Sequence, residues 1–341
     1  MKIKVAILGG TGPVGQKAVA LLQNHNIFEL SEIATSSKNI DKNYGDIVNW
    51  KEQTTLNDRI AKIKMCASEE LKSPFILSAL PAGVAKELEP LLANKGHHIF
   101  SNASAWRMHP DVPLMVPELN SDSIDLLKKQ PSKGKIVTNP NCTTVFFNLA
   151  IAPLLELARV KSISLVTMQA ISGAGNRPGV SALDISGNII PYIEDEEDKI
   201  EKESKKILQK FASYKYDISV NVHRVPVLHG HTMAIHIYFD DSFNNNKNNN
   251  SNNKKPISAE DATNTYLEWN KKHHDLFVIH QKIDHPQPAF DLTNFDYRVH
   301  IGRIRQGENK NILSLVALGH NLVRGAAGAA IRNMEFCYDK L

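Results

Sequence analysis

Glycines at positions 9, 12 and 15 constrain this chain more than any other feature. They lie in Gly9-Gly10-Thr11-Gly12-Pro13-Val14-Gly15, directly after an apolar run at residues 4–8 and directly before residues 16–23, where apolar side chains recur at helical spacing. Strand, sharp glycine turn and helix in that order bring backbone amides at a helix N-terminus close to an anion, because glycine has no Cβ to hold it away. The spacing G-x-x-G-x-x-G is a relative of the dinucleotide fingerprint. Three glycines alone also fit a tight turn that binds nothing, but their place between an N-terminal strand and a helix favours a pyrophosphate.

Further apolar strands are expected at residues 30–34, 75–80 and 98–101, with helix-like segments such as 82–93 between them. Such alternation implies a parallel sheet covered by helices, hence an α/β fold. Near Asn139-Pro140-Asn141 the pattern changes. A helix-like stretch at 143–157 is followed by longer strands at 160–171, 218–225 and 232–239, so a second domain, rich in antiparallel sheet, is expected to begin there. A length of 341 residues suits two domains of ordinary size, and 42% hydrophobic with 22% charged residues is the makeup of a globular protein.

Composition narrows the partners. The 40 basic and 36 acidic side chains are scattered, with no block resembling a nucleic-acid arm. No apolar run approaches the ~20 residues of a membrane span, and the opening strand is too short and wrongly flanked for a signal peptide, so a cytoplasmic location is expected. Cys66, Cys142 and Cys337 are odd in number and outside any CxxC pattern, which argues against a disulfide framework and a zinc site. Residues 244–255, NNNKNNNSNNKK, contain nothing to bury and read as a disordered surface loop without assigned function.

The second strand ends in Thr35-Ser36-Ser37-Lys38. An NAD site puts an acidic residue there to hold the ribose 2′-hydroxyl, whereas hydroxyls and a lysine suit a 2′-phosphate, so NADP is favoured. Cys142 sits in Thr138-Asn139-Pro140-Asn141-Cys142-Thr143-Thr144, at a strand-to-helix turn where a helix N-terminus stabilises a thiolate. A lone cysteine is more often an inert packing residue, and Cys66 and Cys337, lacking such context, keep that reading. Arg224-Val225-Pro226-Val227-Leu228-His229-Gly230-His231 offers an anion anchor and two proton carriers, and chemistry alone does not separate His229 from His231.

Taken together, GGTGPVGQ, Ser78-Ala79-Leu80-Pro81, SNASAWRM from Ser101, NPNCTT, Gln169-Ala170-Ile171-Ser172-Gly173-Ala174-Gly175, NIIPYI with the acidic stretch after it, RVPVLHGHT and NLVRGAAGAA resemble aspartate-semialdehyde dehydrogenase of the archaeal and fungal branch, over nearly the whole chain. The resemblance implies a Rossmann-type NADP-binding domain at 1–140, completed by a last helix at 322–341. It also implies an α+β catalytic and dimerisation domain with a mainly antiparallel sheet at 141–321, and a homodimer or homotetramer. It implies Cys142 as nucleophile, His231 as acid/base and Gln169 as the residue orienting the substrate. Arg224 would grip the substrate carboxylate, Glu196 the amino group, and Lys199 and Arg107 the phosphate, with Asn141 also binding the substrate. Cofactor contacts would come from Gly9, Thr11, Gly12, Pro13, Val14, Gly15, Ser36, Ser37, Lys38, Ser78, Leu80, Pro81, Ser172, Gly173 and Asn321. No metal is expected. The activity so implied is NADP-dependent interconversion of 4-phospho-L-aspartate and L-aspartate 4-semialdehyde through a cysteine thioester, in the biosynthesis of lysine, threonine and methionine.

Asn176-Arg177-Pro178 departs from the family pattern, as does Trp106, where a histidine is more usual. Malonyl-CoA reductase would share the nucleophile and cofactor, but a malonyl site has no amino group for Glu196 to bind. A non-catalytic NADP-binding sensor would require a missing catalytic residue, and none is missing.

Overall fold

The apolar run after the N-terminus forms β1 (Ile3–Leu8), whose last four residues are fully buried. Continuous burial is what a central strand covered on both faces requires. The sheet is completed by β2 (Phe28–Ala34), β3 (Phe75–Ser78), β4 (His98–Ser101) and β5 (Ile136–Thr138), parallel throughout in the order β2-β1-β3-β4-β5. Helices α1 (Pro13–Leu22) and α2 (Ala82–Lys95) follow β1 and β3. The C-terminal helix Gly328–Cys337 puts Ala330, Ile331 and Met334 into the same apolar cluster as Val5, Ile7, Val19 and Leu22. Met1–Asn141 and Gly325–Leu341 thus share one compact unit.

The second unit holds Cys142–Ala174 and Gly179–Arg324. Its strands are β6 (Ala158–Gln169), β7 (Asp217–Arg224), β8 (His231–Asn244), β9 (Phe277–Ile279), β10 (Val299–Gln306) and β11 (Ile312–Gly319), ordered β7-β6-β8-β11-β10-β9. The sheet is mixed: β6–β8, β8–β11 and β10–β11 pair antiparallel, and β6–β7 and β9–β10 parallel. Parallel pairing of β6 and β7 is permitted by a long crossover that includes α4 (Glu196–Ile207), after α3 (Cys142–Leu155). Helix α3 is apolar on every side, with all residues after Thr143 buried as well as Thr143 itself, so it runs through the core of this unit.

Strand polarity decides where chemistry can gather. Gln169 and Arg224 end the parallel strands β6 and β7 and pair in register. Because β8 runs antiparallel to β6, its first residue, His231, arrives at that same sheet end, next to the Met168–Thr232 pair.

The computed structural model describes residues 2–175, 179–244 and 256–341. Asn176-Arg177-Pro178 and, apart from Asn244, the Asn- and Lys-rich insert lie outside the described residues.

The β1–α1 turn is closed by packing as well as by conformation. Gly9 has φ +79°, and a Cβ on Gly15 would stand 2.2 Å from the Gly9 carbonyl oxygen. Gly83, in the first turn of α2, has nothing within 4 Å of an added Cβ. Gly15→Ala is therefore expected to lower stability by about 1–3 kcal/mol through overpacking. Gly83→Ala should raise it by about 0.4–1 kcal/mol by narrowing the unfolded ensemble. Urea midpoints of the two variants measure both, and equal midpoints would contradict the close packing at Gly15.

Candidate active site

Cys142 begins α3, where the first backbone amides of the helix have no intrahelical acceptor and favour negative charge. Its Sγ lies 3.2 Å from Nε2 of His231. His231 is completely buried, packed edge-on against Phe146 of α3, and receives the Ala170 backbone N–H on Nδ1 at 3.0 Å. An atom that accepts an N–H carries no proton of its own. The single proton of the neutral ring therefore sits on Nε2, facing the sulfur. Burial first, then the Arg224 cation, drives the His231 pKa down to about 3, against a smaller opposing effect of the Gly230 backbone.

Arg224, 6% exposed, is anchored by Nη1 donating to the Ala170 carbonyl at 2.7 Å. Its own backbone exchanges both hydrogen bonds with Ile190. Burial lowers its pKa on balance, with Cys142 and then Glu196 opposing that shift in part. Gln169 Nε2 donates to Glu196 Oε2 at 3.2 Å, which ties the end of β6 to the start of α4. Lys199, one turn along α4, stands 3.9 Å from Asp195.

The loop after Gln169 packs tightly here. A Cβ on Gly173 would meet Arg224 Nη1 at 3.1 Å and the His231 ring at 3.3 Å. Ser172 Oγ accepts from Asn321 Nδ2 at 2.9 Å and lies 3.1 Å from His229 Nδ1, while Asn321 Oδ1 accepts from the Gly230 N–H. The His229 ring stacks on His320.

In the other unit, Gly12 is the N-cap of α1 and contributes no side-chain cap, and Pro13 occupies the first helical position, so Val14 and Gly15 present the first-turn amides. Ser36, Ser37 and Lys38 are exposed at the end of β2. Ser78 is fully buried at the end of β3, near Glu89, whose carboxyl is pushed up by burial. Leu80 and Pro81 lead into α2, with Pro81 as its N-cap. Arg107 is buried and donates to the Asn102 carbonyl at 2.6 Å. Asn141, also buried, immediately precedes the cysteine. Sequence reasoning gave Ala170 no part, because its contribution is a backbone N–H and carbonyl that leave no mark on residue type.

Residues 4–127 match the family model of the semialdehyde dehydrogenase NAD binding domain, and residues 151–324 that of the semialdehyde dehydrogenase dimerisation domain. The aspartate-semialdehyde dehydrogenase of Archaeoglobus fulgidus is 37% identical across 98% of both chains, and that of Schizosaccharomyces pombe 35% identical across 99% of this chain and 98% of its own. The chain belongs to the aspartate-semialdehyde dehydrogenase family. The solved aspartate-semialdehyde dehydrogenase of Candida albicans, crystallised with NADP, superposes with a TM-score of 0.83 at 32% identity, covering 100% of this chain and 99% of that one. The resemblance drawn from the motifs, to archaeal and fungal aspartate-semialdehyde dehydrogenases, is borne out. Among the described residues no helix is long and apolar enough to cross a membrane.

The fixed tautomer is measurable. In 15N spectra His231 is expected to stay neutral with its proton on Nε2 from about pH 8 down to about pH 5, although a free histidine titrates near 6.5. A His231 ring that becomes doubly protonated near pH 6 would contradict the geometry.

Proposed function

We propose that this chain is an NADP-dependent, phosphorylating aspartate-semialdehyde dehydrogenase in which Cys142 forms the thioester and His231 acts through its Nε2–H. The observation carrying the reading is the 3.2 Å approach of Cys142 Sγ to a histidine whose other nitrogen is held by a backbone N–H. The thiolate attacks the acyl carbon of 4-phospho-L-aspartate, a C–S bond forms, the C–O bond to phosphate breaks, and phosphate leaves with the electron pair. NADPH, when bound, supplies the hydride that reduces the thioester carbonyl. The resulting alkoxide expels the Cys142 thiolate and becomes the aldehyde. A neutral Nε2–H suits this step by donating a hydrogen bond to the oxyanion as charge develops, so His231 acts here as an electrostatic stabiliser more than as a titrating base.

Arg224 is assigned to the substrate carboxylate, since a buried guanidinium recognises that group by a two-pronged hydrogen bond. Glu196, with Gln169 beside it, is assigned to the substrate amino group, and Lys199 and Arg107 to the phosphate. The NADP assignment is supported by the uncapped α1 N-terminus, the glycine contact that brings the turn close, and the exposed Ser36-Ser37-Lys38. Ser172, Gly173 and Asn321 are assigned to the nicotinamide side. The dimerisation-domain match supports a homodimer or homotetramer, and the expected compartment is the cytoplasm.

Three sets of measurements test this reading. NADP reduction by L-aspartate 4-semialdehyde is expected only with phosphate present, and malonyl-CoA should not support NADPH oxidation. Cys142→Ser should retain NADP binding yet form no acyl-enzyme detectable by mass spectrometry, whereas His231→Asn should still acylate but slow single-turnover hydride transfer by roughly 10²- to 10⁴-fold. His229→Asn should be far milder, and an acyl label on Cys66 or Cys337 would overturn the assignment. For the cofactor, Ser37→Asp places a carboxylate where the 2′-phosphate would sit, so the ratio of NADP to NAD affinity should invert; equal affinities in the unsubstituted protein would count against the NADP reading.

A further inference from the structure

The loop between β9 and β10 gathers histidines and carboxylates that the reaction does not use. One nitrogen each of His280 and His285 and a carboxylate oxygen of Asp291 lie within 4.8 Å of one another. His285 Nδ1 is 2.9 Å and His280 Nδ1 3.9 Å from the same oxygen, Asp291 Oδ1. Donors held tetrahedrally at about 2.0–2.1 Å from a zinc ion stand about 3.3 Å apart. The two separations bracket that spacing.

Behind the cluster stands a relay that sets its chemistry. Asp296, 2% exposed and clasped by Arg298, puts Oδ2 3.1 Å from His300 Nε2. A carboxylate only accepts, so the neutral His300 ring carries its proton on Nε2 and offers Nδ1 as an acceptor, 3.0 Å from His280 Nε2. The proton of His280 is thereby fixed on Nε2. Its Nδ1 is left as a lone pair 3.9 Å from Asp291 Oδ1, on a carboxylate that His285 Nδ1 also reaches, so a cation here would take the place of the proton shared between His285 and Asp291 and would gain the His280 lone pair as a further ligand. Carboxylate–histidine pairs of this kind orient metal-bound imidazoles.

The scaffold is firmly tied. The His280 N–H donates to the Ile301 carbonyl at 2.8 Å, the Gln287 N–H donates to Asp291, and Gly302 gives room to the His285 carbonyl, which an added Cβ would meet at 2.4 Å. The three side chains are 11–16% exposed, within reach of a hydrated ion but mostly withdrawn from solvent.

We propose that His280, His285 and Asp291 bind one divalent late first-row metal ion of the Zn²⁺ class, with water as fourth ligand, and that the ion ties the start of this loop, at His280, to its middle, at His285 and Asp291. Two imidazoles and one carboxylate suit such an ion, whereas Mg²⁺ and Ca²⁺ prefer all-oxygen sites.

The full chain carrying Cys142→Ser, which removes a competing thiolate, is stripped with a chelator, checked for fold by circular dichroism, and titrated with Zn²⁺ by calorimetry and with Co²⁺ by visible absorption. One equivalent should bind, Co²⁺ should show tetrahedral d–d bands without a thiolate charge-transfer band, and Tm should rise with the logarithm of free Zn²⁺. His285→Gln and Asp291→Asn should each weaken binding at least about tenfold, and the outer-shell change His300→Gln by about 10- to 100-fold. Mg²⁺ should leave Tm unchanged. A folded, stripped protein that binds no Zn²⁺, or binding that none of these substitutions weakens, overturns the proposal. Should a substitution unfold the chain, the Co²⁺ spectrum of the intact ligand set decides, with absent or octahedral bands counting against it.

Discussion

The backbone of Ala170 is the point on which the site turns. Its N–H fixes the tautomer of His231 and its carbonyl holds the Arg224 guanidinium, so one residue orients two side chains beside Cys142. Neither contact depends on the alanine side chain. Because the N–H occupies Nδ1, the face of the imidazole toward Cys142 can only donate while the ring is neutral, and burial keeps it neutral. A hydrogen bond of ordinary strength, about 0.5–1.5 kcal/mol net, thereby selects the ring's chemical role.

That arrangement rests on sheet polarity. Parallel β6 and β7 bring Gln169 and Arg224 out at one end, and antiparallel β8 delivers His231 to the same end. The buried α3 then presents Cys142 at its N-terminus, 3.2 Å from His231, with its apolar sides packed in the core. Burying an arginine and a histidine together is unfavourable unless each is hydrogen-bonded. Here each is bonded to backbone that the sheet already holds rigid, the kind of support that preorganises polar groups for a developing oxyanion.

The nucleotide-binding unit solves a different problem with the same economy of backbone. Its turn depends on what is missing, a Cβ on Gly15 that would strike the Gly9 carbonyl, and on a helix N-cap without a competing side chain. In the proposed reading an anion would be met by amides and by the exposed hydroxyls and ammonium of Ser36-Ser37-Lys38, donors of the kind suited to phosphate.

By itself the sequence determined the glycine turn, the parallel sheet of the first unit, the apolar helix behind Cys142 and the family, because these are written in local periodicity and in motifs whose residue types are themselves the signal. Strands β6, β7 and β8 were legible to within a few residues, apart from the long C-terminal reach of β8. The three-residue β9 and the strands β10 and β11 were not: β9 is too short to show a period, and β10 passes from a fully buried half to an alternating one within eight residues. Only tertiary structure decided which strands pair parallel, since pairing depends on a crossover that spans dozens of residues. Residue chemistry left His229 and His231 open and the family resemblance implied His231; tertiary structure supplied the physical reason. His229 and His231 are equivalent as chemistry and two positions apart in sequence, and what distinguishes them is that His231 opens β8 within reach of the Ala170 amide, a contact between residues 61 apart in the chain that no local pattern encodes.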